Sequence, residues 1–197
     1  VIQIDLTPDI YRLLLFGGLV LHKLVWEVLK RTDTPSQNST AKPAGIFKRG
    51  VKAGKSLFLI FLVIQTLFLE IFPISENPQM LLLVGGIIYL AGLAIAITGR
   101  MQLGKNWANL EDYQVLSGQH LVQNGIYRYI RHPIYTGDVL LILGLELALN
   151  SWLVLLVIPL IVVVVRQTLE EEKVLQKSFP EYAKYRKSSK MFIPYIV

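Results

Sequence analysis

The sequence contains no cysteine, which excludes disulfides, thiolate catalysis and cysteine-ligated metals. Histidine is almost as scarce. His22, His120 and His132 show no ligand spacing of the H-x3-H kind, so no protein metal site is expected. Charge is thin too, at 17% of residues against about a quarter in an ordinary soluble domain. Apolar side chains fill the deficit: they make up 53% of the chain, and the mean hydropathy is +0.48. This balance points to a bilayer as solvent. The net charge of +6 would suit nucleic acid, but the basic residues are dispersed between apolar runs and form no stripe. No nucleic-acid partner is expected. The leader VIQIDLTPDI carries Asp5 and Asp9 where a secretory signal needs Lys or Arg, so the first apolar run is expected to be a retained anchor.

A spanning helix needs roughly 20 apolar residues. Ile10–Leu29 qualifies, with Lys23 free to snorkel and to pair with Glu27 one turn away. Leu57–Phe72 is shorter and ends at Pro73. Gln79–Thr98 is clean, and Gly85, Gly86 and Gly92 allow close approach by a neighbouring helix. Val139–Val165 is too long for one span, and Asn150-Ser151 divides it. It reads as a tight helical hairpin, with one long helix bent at Pro159 as the alternative.

Loop charges favour the hairpin. The first loop is rich in Lys and Arg, PISENP has only Glu76, the third loop holds Arg100, Lys105, Arg128 and Arg131, and the tip Asn150-Ser151 is uncharged. By the positive-inside rule this alternation predicts an all-α integral membrane protein with five transmembrane helices. The last two form the hairpin, the N-terminus lies outside, and a small cofactor-binding region is cytoplasmic. Residues 1–99 would hold three N-terminal spans and a basic cytoplasmic loop, and residues 100–197 the functional core.

The chemistry concentrates in two cytoplasmic segments. Gly99–Thr136 is too long for a simple turn, and such loops are usually functional. Tyr127, Arg128, Tyr129, Arg131 and Tyr135 crowd aromatic and cationic groups around His132-Pro133. The bland reading is an interfacial belt; the functional one is a pocket for a ligand with an aromatic base and an anionic group. Beyond the last apolar run, Arg166 is followed by Glu170, Glu171 and Glu172. These read either as a solvated face, with Arg166 and Glu170 paired at i,i+4, or as partners for a cationic ligand. Glu146 lies close to the uncharged tip and is expected to be solvated at the interface.

HLVQNGIYRYIRHPIYTG, with its G-x-Y-x-x-x-R-H-P-x-Y-x-G pattern, the helical hairpin and R-x-x-x-E-E-E resemble the isoprenylcysteine carboxyl methyltransferase family, whose wider relatives are phospholipid N-methyltransferases. The likeness covers roughly residues 100–195, including FPEYAKYRKSSKMFIPYI. It implies that S-adenosylmethionine binds at the cytoplasmic membrane surface. Gln119, His120, Leu121 and Val122 would line the pocket, with Tyr127, His132, Pro133, Ile134 and Tyr135 adding contacts. Glu170 would hold the cofactor's ammonium, with Glu171 as the alternative register, and Arg166 would face the acceptor. Arg166 and Glu170 are thus the expected catalytic pair. The chain has fewer expected spans than the eukaryotic enzymes.

The expected activity is methyl transfer to a lipid-linked or apolar acceptor within membrane lipids, first of all a prenylated cysteine carboxylate. A carboxylate is already ionised at neutral pH and needs no base, whereas an amine must first lose a proton. Alternatives are a phospholipid headgroup amine or a small apolar nucleophile. Outside the enzymes stands a transporter or scaffold, but no internal repeat or paired broken helices of a transporter are evident.

Overall fold

Four glycines set the centre of the molecule, which is described here by a computed structural model over residues 2–4, 9–33, 46–106 and 120–194. Those residues form six α-helices: α1 (Ile10–Asp33), α2 (Ile46–Phe68), α3 (Gln79–Leu103), α4 (Pro133–Ala148), α5 (Val157–Ser178) and α6 (Tyr182–Ser188). A short antiparallel pairing joins β1 (Ile2–Ile4) to β2 (Leu69–Ile71), with Ile2 opposite Ile71. Gly85 and Gly92 on α3 face Gly137 and Gly144 on α4. A Cβ at any of the four would run into the backbone of the opposite helix. The close approaches Gly85–Ala148, Tyr89–Gly144, Gly92–Leu141 and Ala96–Gly137 lie in one antiparallel register. Without side chains between them the two backbones gain dispersion contact along their whole shared length, the packing mode that small residues permit in lipid.

Around this pair, α1 docks through Leu15 and Leu19, and α2 through Leu62. The Tyr89 hydroxyl donates to the Leu15 carbonyl at 2.6 Å, and Gly18 makes room for its ring. The outward faces are apolar. Leu13, Leu21 and Leu24 on α1, Leu57, Phe58 and Ile60 on α2, Leu83, Ile87 and Leu90 on α3, and Ile158, Ile161 and Val163 on α5 are all exposed. Such a surface would be a liability in water and is the ordinary solvated face in a bilayer. Among the described residues, two helical segments are long and apolar enough to cross a membrane, Gln79–Asn106 and Trp152–Ser178. In the second the apolar run stops at Val165, and the turns from Arg166 onward project beyond it.

Helix ends depart from the expected spans. Residues before Leu57 are helical from Ile46, and α3 runs past Thr98 to Leu103. Hydropathy marks only the lipid-soluble part of a helix, whereas backbone hydrogen bonding continues through polar turns. The apolar stretch Val139–Val165 is interrupted at its polar dipeptide. α4 stops at Ala148, Asn150 takes φ 54°, and Ser151 accepts the Leu153 N–H at 3.1 Å to start the next turn. Asn150 also exchanges hydrogen bonds with the backbone of Ser75, which ties this turn to the one before α3.

Glu146 is not solvated as expected but 3% exposed, and the Gln65 side-chain amide donates to it at 2.8 Å. Arg12 is also buried and donates to the carbonyls of Gln65, Thr66 and Leu69 at 3.1–3.4 Å. Gln65 and Thr66 lie in the last turn of α2, so the guanidinium meets the negative end of the helix dipole. Glu146 departs from its expected place because its partner, Gln65, lies on another helix.

Candidate functional site

The site forms where α4 begins. His132 precedes Pro133, which occupies the first helical position, where a missing N–H costs nothing. Before it, residues Gly125–Arg128 make a 3-10 turn that starts at φ 57°, a conformation suited to glycine. This turn directs Tyr127 inward. The Tyr127 hydroxyl donates to the Gly99 carbonyl of α3 at 3.2 Å, and the Tyr185 hydroxyl donates to the Tyr127 carbonyl at 2.7 Å. Burial, reinforced by the charge of Glu171, pushes the Tyr127 phenol well above its ordinary value, so it acts as a neutral donor. Arg100, fully buried at the end of α3, donates to the Gly104 carbonyl at 3.3 Å and acts electrostatically on the same phenol.

Three consecutive glutamates on α5 meet three environments, because successive helical residues point about 100° apart. Glu170 is exposed and pairs with Lys173 at 2.6 Å. Glu171 is half-buried: its Oε2 accepts from the Tyr135 hydroxyl at 3.0 Å and lies 3.9 Å from His132 Nδ1. Glu172 is buried. It accepts from Arg131 Nε at 2.7 Å, lies 3.3 Å from His132 Nε2, and has Arg186 at 3.7 Å. Burial opposes its charge, but hydrogen bonds from His132 and Arg131 outweigh that and hold the carboxyl at about 2. It is therefore an anion at neutral pH and serves as the counter-charge of Arg131.

The tail completes this arrangement. Arg131 N–H donates to the Lys190 carbonyl at 2.8 Å, His132 N–H to the Met191 carbonyl at 3.2 Å, and Lys190 N–H to the Tyr129 carbonyl at 2.9 Å. Thr136 Oγ1 donates to the Phe192 carbonyl at 3.2 Å.

Of the residues expected from sequence, Tyr127, His132, Tyr135 and Glu171 come together. Pro133 and Ile134 pack against Gly99, which fixes the start of α4 on α3. Val122 is buried and Leu121 half-buried, while His120 is exposed and its N–H donates to the Asn106 side chain at 2.9 Å. Gln119 lies outside the described residues. Arg166 is exposed, on the face of α5 that also carries Glu170, and is about 140° around the axis from Glu171. The structure thus does not bring Arg166 or Glu170 to the cluster.

Two residues named in the sequence were not singled out for the contacts they make. Arg131 was one member of an aromatic and cationic crowd, and its place beside His132-Pro133 was the available signal. His22 of α1 places Nε2 3.0 Å from Asp138 Oδ1 of α4 and stacks on Trp26, with ring centroids 4.1 Å apart. Asp138 is one turn beyond Tyr135 on α4. Nothing local in the sequence links residues so far apart.

Residues 80–182 match the phospholipid methyltransferase family. No curated protein sequence matches the chain. The fold is similar to that of a solved structure of a eukaryotic intramembrane Ras methyltransferase, isoprenylcysteine carboxyl methyltransferase. The TM-score is 0.61 at 19% sequence identity, over 94% of this chain and 68% of that one.

Proposed function

The chain belongs to the phospholipid methyltransferase family, and from that premise we propose that it transfers a methyl group from S-adenosylmethionine to an amine on a lipid-borne acceptor. The observation that carries the cofactor assignment is the Glu171 carboxylate, oriented by Tyr135 beside His132 where α5 leaves its apolar run. The donor set fits. A half-exposed carboxylate suits the cofactor's ammonium, and the rings of Tyr127, His132 and Tyr135 suit an aromatic base. On this reading His120, Leu121 and Val122 and the Pro133-Ile134 step extend the same site. S-adenosylmethionine, when bound, supplies an electrophilic methyl group. Displacement at that methyl depends above all on positioning. On this reading Glu171 anchors one end of the site, Tyr135 holds Glu171, and Glu172 with Arg131 keeps the start of α4 rigid beneath both.

We read the membrane topology as five spans, α4 and α5 forming the terminal hairpin, with the N-terminus outside and the site cytoplasmic. The alternation of basic and non-basic loops supports it, as do the apolar outward faces. Residues 1–99 then anchor the core at 100–197, and the acceptor enters sideways from the lipid.

The amine is preferred because Arg166, the group suited to aligning a carboxylate, stands away from Glu171. A second reading, a prenylated cysteine carboxylate, is favoured by the exposure of Arg166 at the end of the apolar run, within reach of lipid. Arg166→Lys separates the two. It retains charge but loses the bidentate fork, so turnover should fall sharply on a carboxylate acceptor and stay near wild type on an amine. The test of the whole reading is transfer from labelled cofactor to a panel of amine phospholipids, prenylcysteines and small thiols. No transfer to any of them would overturn it.

The cofactor contact gives a sharper expectation. Glu171→Gln removes a charge-assisted contact worth about 1.5–3 kcal/mol, so affinity should drop tenfold or more. Glu170→Gln, altering an exposed ion pair with Lys173, should leave affinity unchanged. Calorimetry in which Glu171→Gln binds like wild type would remove Glu171 from the site.

A further inference from the structure

We propose that His22, held by Asp138, is the catalytic base that takes the proton from the acceptor amine. This rests on the amine reading above and adds to it a residue outside the segments that carry the family match, since His22 lies before residue 80.

The placement of the pair carries the inference. Asp138 follows Tyr135 by three residues, and side chains at this spacing are neighbours on one helix. Tyr135 holds Glu171, so Asp138 sits one turn along α4 from the residue that holds the cofactor-binding carboxylate, toward the apolar part of α4. The same depth emerges from α1. His22 is two turns past Leu15, which meets Tyr89, and it is followed by the exposed Lys23–Glu27 pair that marks the aqueous end of that helix. His22 and Asp138 therefore lie between the apolar core and water, the level of a lipid headgroup. Both are partly open, with side-chain exposures of 24% and 40%.

The chemistry follows from the hydrogen bond. A carboxylate can only accept, so in the neutral ring the proton sits on Nε2 and the lone pair on Nδ1. Trp26 stacks on the ring face and leaves its edge to the acceptor. The acceptor's ammonium loses a proton to Nδ1, and the N–H electron pair stays on nitrogen. That pair forms the new N–C bond as the S–C bond breaks, whose electrons remain on sulfur. The imidazolium, paired with Asp138, returns its proton to water. A brace between α1 and α4 would need no such basic atom, which gives the test its contrast.

His22→Gln retains an amide donor for Asp138 and loses the base. In nanodiscs containing phosphatidylethanolamine, its turnover should fall about 100-fold or more, with cofactor affinity by calorimetry unchanged. Asp138→Asn should fall in the same direction. A readout independent of turnover uses 15N-histidine spectra of the cofactor-free protein. The His22 signals should move when phosphatidylethanolamine replaces phosphatidylcholine, while those of His22 in the Asp138→Asn variant respond less. Wild-type protein active on the amine lipid, with His22→Gln equally active or His22 signals indifferent to it, would overturn the base while leaving the functional reading intact. Wild-type protein inactive on every amine lipid would overturn the functional reading, and the base with it.

Discussion

Glu172→Ala should destabilise the protein by about 3–5 kcal/mol, the cost of stripping one partner from a buried ion pair. The Arg131 side chain is only 7% exposed, and its Nε loses a 2.7 Å acceptor. Arg186, more than half exposed, cannot substitute, because it carries the same sign. Glu172→Gln should fall between the two, since an amide oxygen still accepts from Arg131 but brings no charge. Glu170→Ala, one residue earlier and solvated, should be close to neutral. Thermal unfolding in detergent measures the series. Equal midpoints for Glu172→Ala and Glu170→Ala would show that the buried network adds nothing. The same lost charge pair should loosen the tail, so limited proteolysis after Lys190 should accelerate in Glu172→Ala alone.

Gly92→Ala and Gly144→Ala should each destabilise by about 1–3 kcal/mol, as overpacking does in a tight core. At both positions the added methyl meets backbone on the facing helix, which cannot rotate aside as a side chain would. The two should not add independently, because either one already separates α3 from α4. Gly17→Ala is the counter-case. Nothing lies within 4 Å of a Cβ there, and alanine is the better helix former by roughly 1 kcal/mol. The same chemical change is thus expected to have opposite signs on α1 and on the central pair. A uniform response across the three glycines would refute the backbone-contact explanation.

Much of this was legible in the sequence. Apolar runs located the helices, the break at Asn150-Ser151 was audible in its polarity, and HLVQNGIYRYIRHPIYTG marked the start of α4. The glycines of α3 announced a close neighbour. Which of the glutamates contact Tyr135, His132 and Arg131 was not legible, because it depends on the rotation of α5 about its axis. Contacts with Tyr135 and Arg131 set that rotation, and a run of three identical side chains carries no phase. Glu146 was misjudged for a related reason: depth along a helix can be read from sequence, but the identity of the neighbour cannot. His22–Asp138 lay furthest out of reach, since the pair exists only once α1 has packed against α4.

The contacts of the segment Tyr129–His132 also impose an order on the making of the protein. The carboxylate that balances Arg131 arrives 41 residues later, at Glu172, and the carbonyls it needs follow still later, at Arg186 and Ser189. Tyr129 and His132 wait in the same way for Lys190 and Met191. During synthesis the central helix pair can assemble from residues already made, while the wall of the site stays open beside it. The helix pair can therefore stand before the cluster around Arg131 and His132 is complete, and the segment Arg186–Met191 is what completes it.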